Sequence, residues 1–384
     1  MKKVLIATCC IALLSGSLSV SAQKKSDVQA QKKSAAKSVS ASSLTGKSWS
    51  ADNGNGTFTN PLFYDEFSDP DIIRVGEDYY LAGTTMHSVP GLVVLHSKDL
   101  VNWEFSSYCF DRFDDSDDFN LRNGKEAYGQ GIWAPAIRYH NGKFYIFSNI
   151  NGHGLQVYIS DSAKGPWTHH KINGDIYDLS VLFDDDGKIY AVHKYGNVTV
   201  TELKPDLSGP VEGNSKVVIP EGNAMGEGHH VYKINGMYYI LSADYSPMGR
   251  MQCARSKSIW GPYETCVISE RESFGYAAGW SVGNMGIGRP LPEDGFKFQN
   301  NQPNGVNLGC ATIHQGGIVQ APDGKWWGVS MQDFNAVGRT VCLSPITWVD
   351  GWPYFGLEKN LGRSPRTWFK PNDKVKTPQA PYDR

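Results

Sequence analysis

Three acidic residues occupy matching places in a repeated pattern: Asp69 in "DPDIIRVGEDYYLAGTT", Asp178 in "DLSVLFDDDGKIYAVHK" and Glu227 in "EGHHVYKINGMYYILSA". Each stands at the mouth of an apolar strand. Taken singly they have plain explanations: Asp69 and Asp71 flank a proline and could simply start a turn, Asp178 could cap a strand, and Glu227 could be a solvated loop carboxylate. Taken together they match a demanding chemistry. Cleaving a sugar–oxygen bond by acid–base catalysis needs one ionised carboxylate to activate water and one protonated carboxyl to supply the leaving oxygen. A third negative charge nearby raises the pKa of the acid and keeps its proton in place.

Such residues, far apart in the chain, need a scaffold that brings them together. Five segments share one pattern, adding "WAPAIRYHNGKFYIFSN" and "IHQGGIVQAPDGKWWGVSM" to the three above. Each has an apolar strand, a turn around Gly76, Gly142, Gly187, Gly236 or Gly324, then an aromatic-rich strand. The loop chemistry and the flanking β-branched and aromatic residues predict hairpins. A second echo follows three of them, "SKDLVNWEF", "SDSAKGPWTHH" and "SKSIWGPYET". Two hairpins make a four-stranded blade, and the glycines recur about every 60 residues, a spacing compatible with propeller blades. The expected fold is all-β, a five-bladed β-propeller. A β-sandwich with similar hairpins is the alternative, but it needs no second echo.

In a propeller the first strand of each blade lines the central channel, and all the first strands run the same way. Reading back from the turn glycines therefore places Asp69, the Trp133-Ala134-Pro135 corner, Asp178, Glu227 and His314 on one ring. Like charges crowded at a channel mouth cost stability, which marks functional sites more often than scaffolds.

The rest of the chain sets the context. Lys2 and Lys3 precede an apolar run to about Leu14, and Val20-Ser21-Ala22 offers a cleavage site, so residues 1–22 read as a secretory signal peptide. Cys9 and Cys10 lie inside that run, unlike the cysteine of a lipoprotein anchor. Residues 23–49 are Lys, Ser, Ala and Gln with almost no large apolar residue and read as a flexible tether. The propeller is expected over 50–384, linker-like from about 371. Export to the periplasm or the extracellular space follows, with no later membrane span. A net charge of -2 and 41 glycines argue against a nucleic-acid footprint and for a turn-rich β body.

The segments around Asp69, Trp133, Asp178 and Glu227 resemble the signature segments of glycoside hydrolase family 43 in order, spacing and flanks, over roughly residues 58–370. The resemblance implies an inverting glycosidase with Asp69 as general base, Asp178 as pKa modulator and orienter, and Glu227 as general acid. It also implies His87 at the pocket rim, Trp133 as a sugar platform, Arg339 as a clamp on sugar hydroxyls, and His314 as the channel histidine that in many members helps hold a hydrated calcium ion. The chemistry itself needs no cofactor. Departures are Leu179 where proline is usual and Gly228-His229 where Gly-Pro is common, which suggests that His229 lines the site. Many relatives continue into a C-terminal β-sandwich, whereas this chain stops at "PQAPYDR".

Two insertions, one ahead of Trp133 and one between the fourth and fifth repeats, are long enough to close the channel into a blind pocket. A blind pocket favours exo action on chain ends. The expected substrate is a polysaccharide or oligosaccharide ending in β-xylosyl or α-L-arabinofuranosyl, with β-galactosyl as the alternative; a glycan-binding propeller without catalysis is the rival from another class. Cys253 and Cys266 flank a turn and are expected opposite each other, close enough to bridge.

Overall fold

The computed structural model describes residues 50–371, apart from 88, 114–115, 224, 246–247, 270–271, 274–275, 278–312, 334–337 and 363–365. The leader, the tether, the tail beyond 371, Cys310 and most of the second insertion lie outside the described residues. After β1 (Thr57–Thr59) come five four-stranded antiparallel sheets. Blade 1 is β2 (Ser68–Val75), β3 (Asp78–Thr84), β4 (Gly91–Ser97) and β5 (Glu104–Phe110). Blade 2 is β6 (Ile132–His140), β7 (Lys143–Ile150), β8 (Gly154–Ser160) and β9 (Thr168–Lys171). Blade 3 is β10 (Ser180–Phe183), β11 (Ile189–His193), β12 (Val198–Leu203) and β13 (Pro210–Ile219). Blade 4 is β14 (His230–Ile234), β15 (Met237–Tyr245), β16 (Met248–Ser256) and β17 (Glu264–Val267). A short ribbon, β18 (Glu272–Ser273) with β19 (Tyr276–Ala277), precedes blade 5, which is β20 (Ile318–Gln320), β21 (Trp326–Asp333), β22 (Arg339–Val349) and β23 (Trp352–Phe355). Finally β24 (Thr367–Phe369) pairs with β1, Phe58 opposite Trp368. The fold is a five-bladed β-propeller.

Five buried apolar clusters lie between neighbouring blades and close the ring. Leu81 and Leu95 of blade 1 meet Trp327 and Val329 of blade 5, while Ala82 and Val94 on the opposite face of blade 1 meet Ile137 and Ile146 of blade 2. Three further clusters join blades 2 to 3, 3 to 4 and 4 to 5. A middle strand therefore buries both faces, and β11 and β12 are buried at every residue. β11, Ile-Tyr-Ala-Val-His, accordingly reads as a nearly continuous apolar run, whereas β12, Val-Thr-Val-Thr-Glu-Leu, alternates and buries its threonine hydroxyls in hydrogen bonds. The outer strand β9 is exposed at all four positions, and its Thr-His-His-Lys sequence matches that placement. Blade 3 forms complete outer strands although its sequence carries no second echo, because its packing needs apolar faces and not that motif.

Cys253 and Cys266 stand opposite each other in the β16–β17 register, as expected, yet both are free thiols. The bridge that this register would allow is not made: Cys266 Sγ lies 3.2 Å from the Tyr354 hydroxyl, and Cys253 is buried against its own strand.

Candidate active site

The innermost strands open in an unusual way. Asp69 (φ 52), Asp178 (φ 52), Gly228 (φ 67) and Gln315 (φ 46) are all left-handed at the point where the chain enters blades 1, 3, 4 and 5. Blade 2 instead has a register shift between Ile132 and Pro135. A left-handed residue turns the chain sharply, so the channel mouth receives side chains from the turn rather than from the pleated strand. Non-glycine residues bear a cost there of about 1–2 kcal/mol each. At Gly228 no side chain would fit: a Cβ would stand 2.4 Å from Gln315 Cγ.

These turns gather the three acids. The Gly228 N–H donates to Asp178 Oδ2 at 2.7 Å, while the Asp178 N–H donates to Asn149 Oδ1 at 3.0 Å. Tyr177, just before Asp178, donates its hydroxyl to Glu227 Oε2 at 2.9 Å. On the other side Arg339 Nη1 donates to Asp69 Oδ1 at 3.1 Å and to Met86 Sδ at 3.2 Å, and the Asp69 N–H points at Met331 Sδ, 3.4 Å away. Asp178 is 8 % exposed, and its carboxyl is pushed up to about 8 by burial first, then by the charges of Glu227 and Asp69. Burial raises the Tyr177 phenol too, and Glu227, Asp178 and Asp69 all add to that rise. The three carboxyls thus act on common neighbours.

The other expected residues divide. Trp133 lies in β6 edge-on to Tyr177, ring centroids 5.7 Å apart, with its buried indole N–H without a partner. His87 stacks on Tyr128 at 4.1 Å, donates Nε2–H toward Glu66 Oε2 at 3.0 Å, and accepts from the Gly129 N–H at 2.9 Å. The insertion ahead of Trp133 therefore packs on His87, through Tyr128 and Gly129. Arg339 is in the site but engages Asp69, a contact the clamp expectation did not include. His229 is a correction. It is 3 % exposed, with Nδ1 at 2.5 Å from Ser242 Oγ and Nε2 at 2.6 Å from Lys194 O, so it braces the blade 3–4 junction and offers nothing to a sugar. Burial holds its pKa down to about 4, which keeps it neutral. His314 is 1 % exposed and bridges Met331 through its backbone. Calcium takes six to eight oxygen ligands, and among the described residues no group of three or more His, Cys, Asp or Glu could hold a metal ion.

Further along the first strands a second set of side chains fastens the blades. Asp71 Oδ2 accepts from the Ile137 N–H at 2.9 Å and from Arg138 Nη1 at 2.5 Å. Arg138 Nη2 reaches Ser180 Oγ at 2.5 Å, and Ser180 Oγ accepts from the Val231 N–H at 3.0 Å. Tyr232 continues the chain by accepting from the Ile318 N–H at 2.9 Å. Asp69 and Asp71, so alike in sequence, thus divide into a channel-mouth acid and an interblade staple.

Sequence reasoning missed Tyr177, Asn149, Met86 and Glu66. Tyr177 was findable, since it precedes the left-handed residue of blade 3 as Glu227 precedes that of blade 4. Asn149 ends the repeated segment of blade 2, whereas Met86 and Glu66 come from loops outside the repeats, and no signal marked any of the three.

A family profile described as glycosyl hydrolases family 43 matches residues 58–272. The chain is 30% identical over 386 residues to a beta-xylosidase of Formosa agariphila, covering 89% of this chain and 58% of that protein. It is 33% identical over 332 residues to a non-reducing end alpha-L-arabinofuranosidase of Bacteroides ovatus, covering 82% and 56%. Among solved structures, a bifunctional GH43-CE protein of Bacteroides eggerthii aligns with a TM-score of 0.67 at 33% identity, covering 84% of this chain and 38% of that one. The chain spans little more than half the length of these curated relatives.

Proposed function

The chain belongs to glycosyl hydrolases family 43, and on that premise we propose that it is an exo-acting, inverting glycoside hydrolase. It releases terminal β-xylosyl or α-L-arabinofuranosyl residues from plant-type polysaccharides or oligosaccharides. The observation that carries this reading is the Asp178 carboxyl, raised to about 8 by burial and by both Glu227 and Asp69. The charges of Glu227 and Asp69 both act on the Asp178 carboxyl, and Arg339 opposes them. Asp69, beside Arg339, is the ionised base. Asp178 keeps its proton at neutral pH, with Glu227 among the charges that hold it there.

In the reaction Asp69 takes a proton from water as the water oxygen attacks the anomeric carbon. The bond from that carbon to the glycosidic oxygen breaks, and Glu227 gives the oxygen its proton. Attack from the face opposite the leaving group inverts the anomeric carbon, which requires the two carboxyls about 6.5–9.5 Å apart. Trp133 stacks the sugar, and His87 with Tyr128 frames the entrance. No cofactor enters these steps. The leader-like residues 1–22 support work in the periplasm or outside the cell, on glycan rather than nucleic acid.

The test is a side-by-side panel of nitrophenyl β-xyloside, α-L-arabinofuranoside and β-galactoside, with the product anomer followed by NMR. Turnover of either pentoside with inversion is expected. Retention, or a preference for the galactoside, would overturn the mechanism or the substrate assignment respectively, and binding without turnover would leave a glycan-binding propeller.

A further inference from the structure

One side chain beside the acid has no part in the steps above. The Tyr177 hydroxyl donates to Glu227 Oε2 at 2.9 Å, while the Tyr177 ring stands edge-on to Trp133 with centroids 5.7 Å apart. Tyr177 therefore touches both the acid and the surface assigned to the sugar. It precedes β10, so no strand pairing sets its place. Asn149 does so instead: its Nδ2 donates to the Ile176 carbonyl at 2.7 Å and its Oδ1 accepts from the Asp178 N–H at 3.0 Å, so one carboxamide grips the peptide groups on both sides of Tyr177. The Tyr177 carbonyl accepts from the Lys194 N–H at 2.9 Å, and Lys194 is left-handed (φ 78), a costly conformation for a lysine. Ser148, next to Asn149, donates its Oγ to the Trp133 carbonyl at 2.6 Å. The end of β7 thus fixes the Tyr177 backbone and Trp133 in one frame.

The chemistry of this contact changes during proton transfer. Burial first, then the charge of Glu227, raises the Tyr177 phenol, so it keeps its proton and stays a donor. While Glu227 is protonated, Oε2 accepts that bond as a neutral carbonyl oxygen. Once the proton has gone, the acceptor is a carboxylate, and a bond to an ionised acceptor is shorter and roughly twice as strong. The contact therefore tightens as the leaving oxygen is protonated. Only interactions that strengthen toward the transition state speed the chemical step.

We propose that Tyr177 is the positioning residue of the acid: its hydroxyl holds Glu227 Oε2, so that the catalytic proton leaves from Oε1, and its ring sets that carboxyl in register with a sugar lying on Trp133. The proton passes from Oε1 to the glycosidic oxygen, which keeps the electron pair of the bond to the anomeric carbon as that bond breaks. Tyr177 retains its own proton throughout. This assignment rests on the hydrolase reading and deepens it.

The experiment compares the full chain with Tyr177→Phe, which keeps the ring against Trp133 and removes only the hydroxyl. Two substrates of whichever pentose the parent cleaves are used, an unactivated oligosaccharide and a dinitrophenyl glycoside whose leaving oxygen needs little protonation. On the oligosaccharide kcat should fall about tenfold or more, the worth of a hydrogen bond to a charged group, with KM unchanged. On the dinitrophenyl glycoside both constants should stay near those of the parent. The double variant Tyr177→Phe with Glu227→Gln should cleave the oligosaccharide no more slowly than Glu227→Gln alone, because the hydroxyl acts only through the acid. Equal losses on the two substrates, additive losses in the double variant, or parent-like kcat on the oligosaccharide would each overturn the assignment and leave the hydrolase reading standing. A parent that cleaves no pentoside at all would overturn that reading, and the role of Tyr177 with it.

Discussion

The two ends of the innermost strands use the same backbone conformation for opposite purposes. At the hairpin end, positive φ falls on Asn141-Gly142 and Asn235-Gly236, and on Gly76, Gly187 and Gly324, where an added Cβ would meet nothing within 4 Å. Asn and Gly take that conformation at little cost, and the turns carry no further duty. At the channel end it falls on Asp69, Asp178 and Gln315, and on a Gly228 crowded by Gln315. There the chain accepts both local strain and the repulsion of three carboxyls. Where the propeller could choose freely it is relaxed, and where it holds the acids together it is not, the pattern expected when strain serves a site.

The sharpest break of this contrast is Glu227→Gln. Hydrolysis of natural glycans should fall by about 10²–10⁴ through loss of the acid, with the thermal midpoint unchanged. Aryl glycosides with good leaving groups should lose much less, and an equal loss on both substrates would reassign the acid.

Asp178→Asn should also lower turnover, and it tests the electrostatic half of the contrast. A carboxyl whose pKa is raised from 3.8 to about 8 on folding binds its proton more tightly in the folded state. Its contribution to stability is full below pH 4 and declines as pH rises through 8. The amide should therefore be more stable than the parent at pH 9 by at least about 1 kcal/mol and indistinguishable from it near pH 3. In the parent, kcat/KM should fall as pH rises through about 8. Denaturant melts at both pH values and a pH–rate profile would check this, and equal stability at pH 9 would contradict the assigned shift.

Backbone substitutions separate the two ends more finely. Gly228→Ala must displace Gln315 and take a positive φ, so it should destabilise by roughly 1–3 kcal/mol and lower kcat by moving the N–H that holds Asp178. Gly236→Ala has the same φ problem without the crowding. It should cost about 1 kcal/mol and leave kcat and KM as they are. Should Gly236→Ala impair turnover as much as Gly228→Ala, the distinction between the two ends fails.

Much of this was legible in the chain itself. Five hairpin repeats with Gly-containing turns are local chemistry, set by residues adjacent in sequence, and they specified the blades and their number. What depended on side-chain direction was not legible. His229 and Glu227 are two residues apart, yet one braces a blade junction and the other meets Tyr177. Cys253 and Cys266 took the expected register without bonding. Arg339 paired with Asp69, 270 positions away, through a closure that no local pattern encodes.

The sequence alone determined periodicity, because turn preference and burial pattern act over a few residues at a time. Only the closed ring decided which acids share a field, which histidine is buried and which indoles lack an acceptor. Those depend on distances between blades, and such distances exist only once the five apolar interfaces have packed.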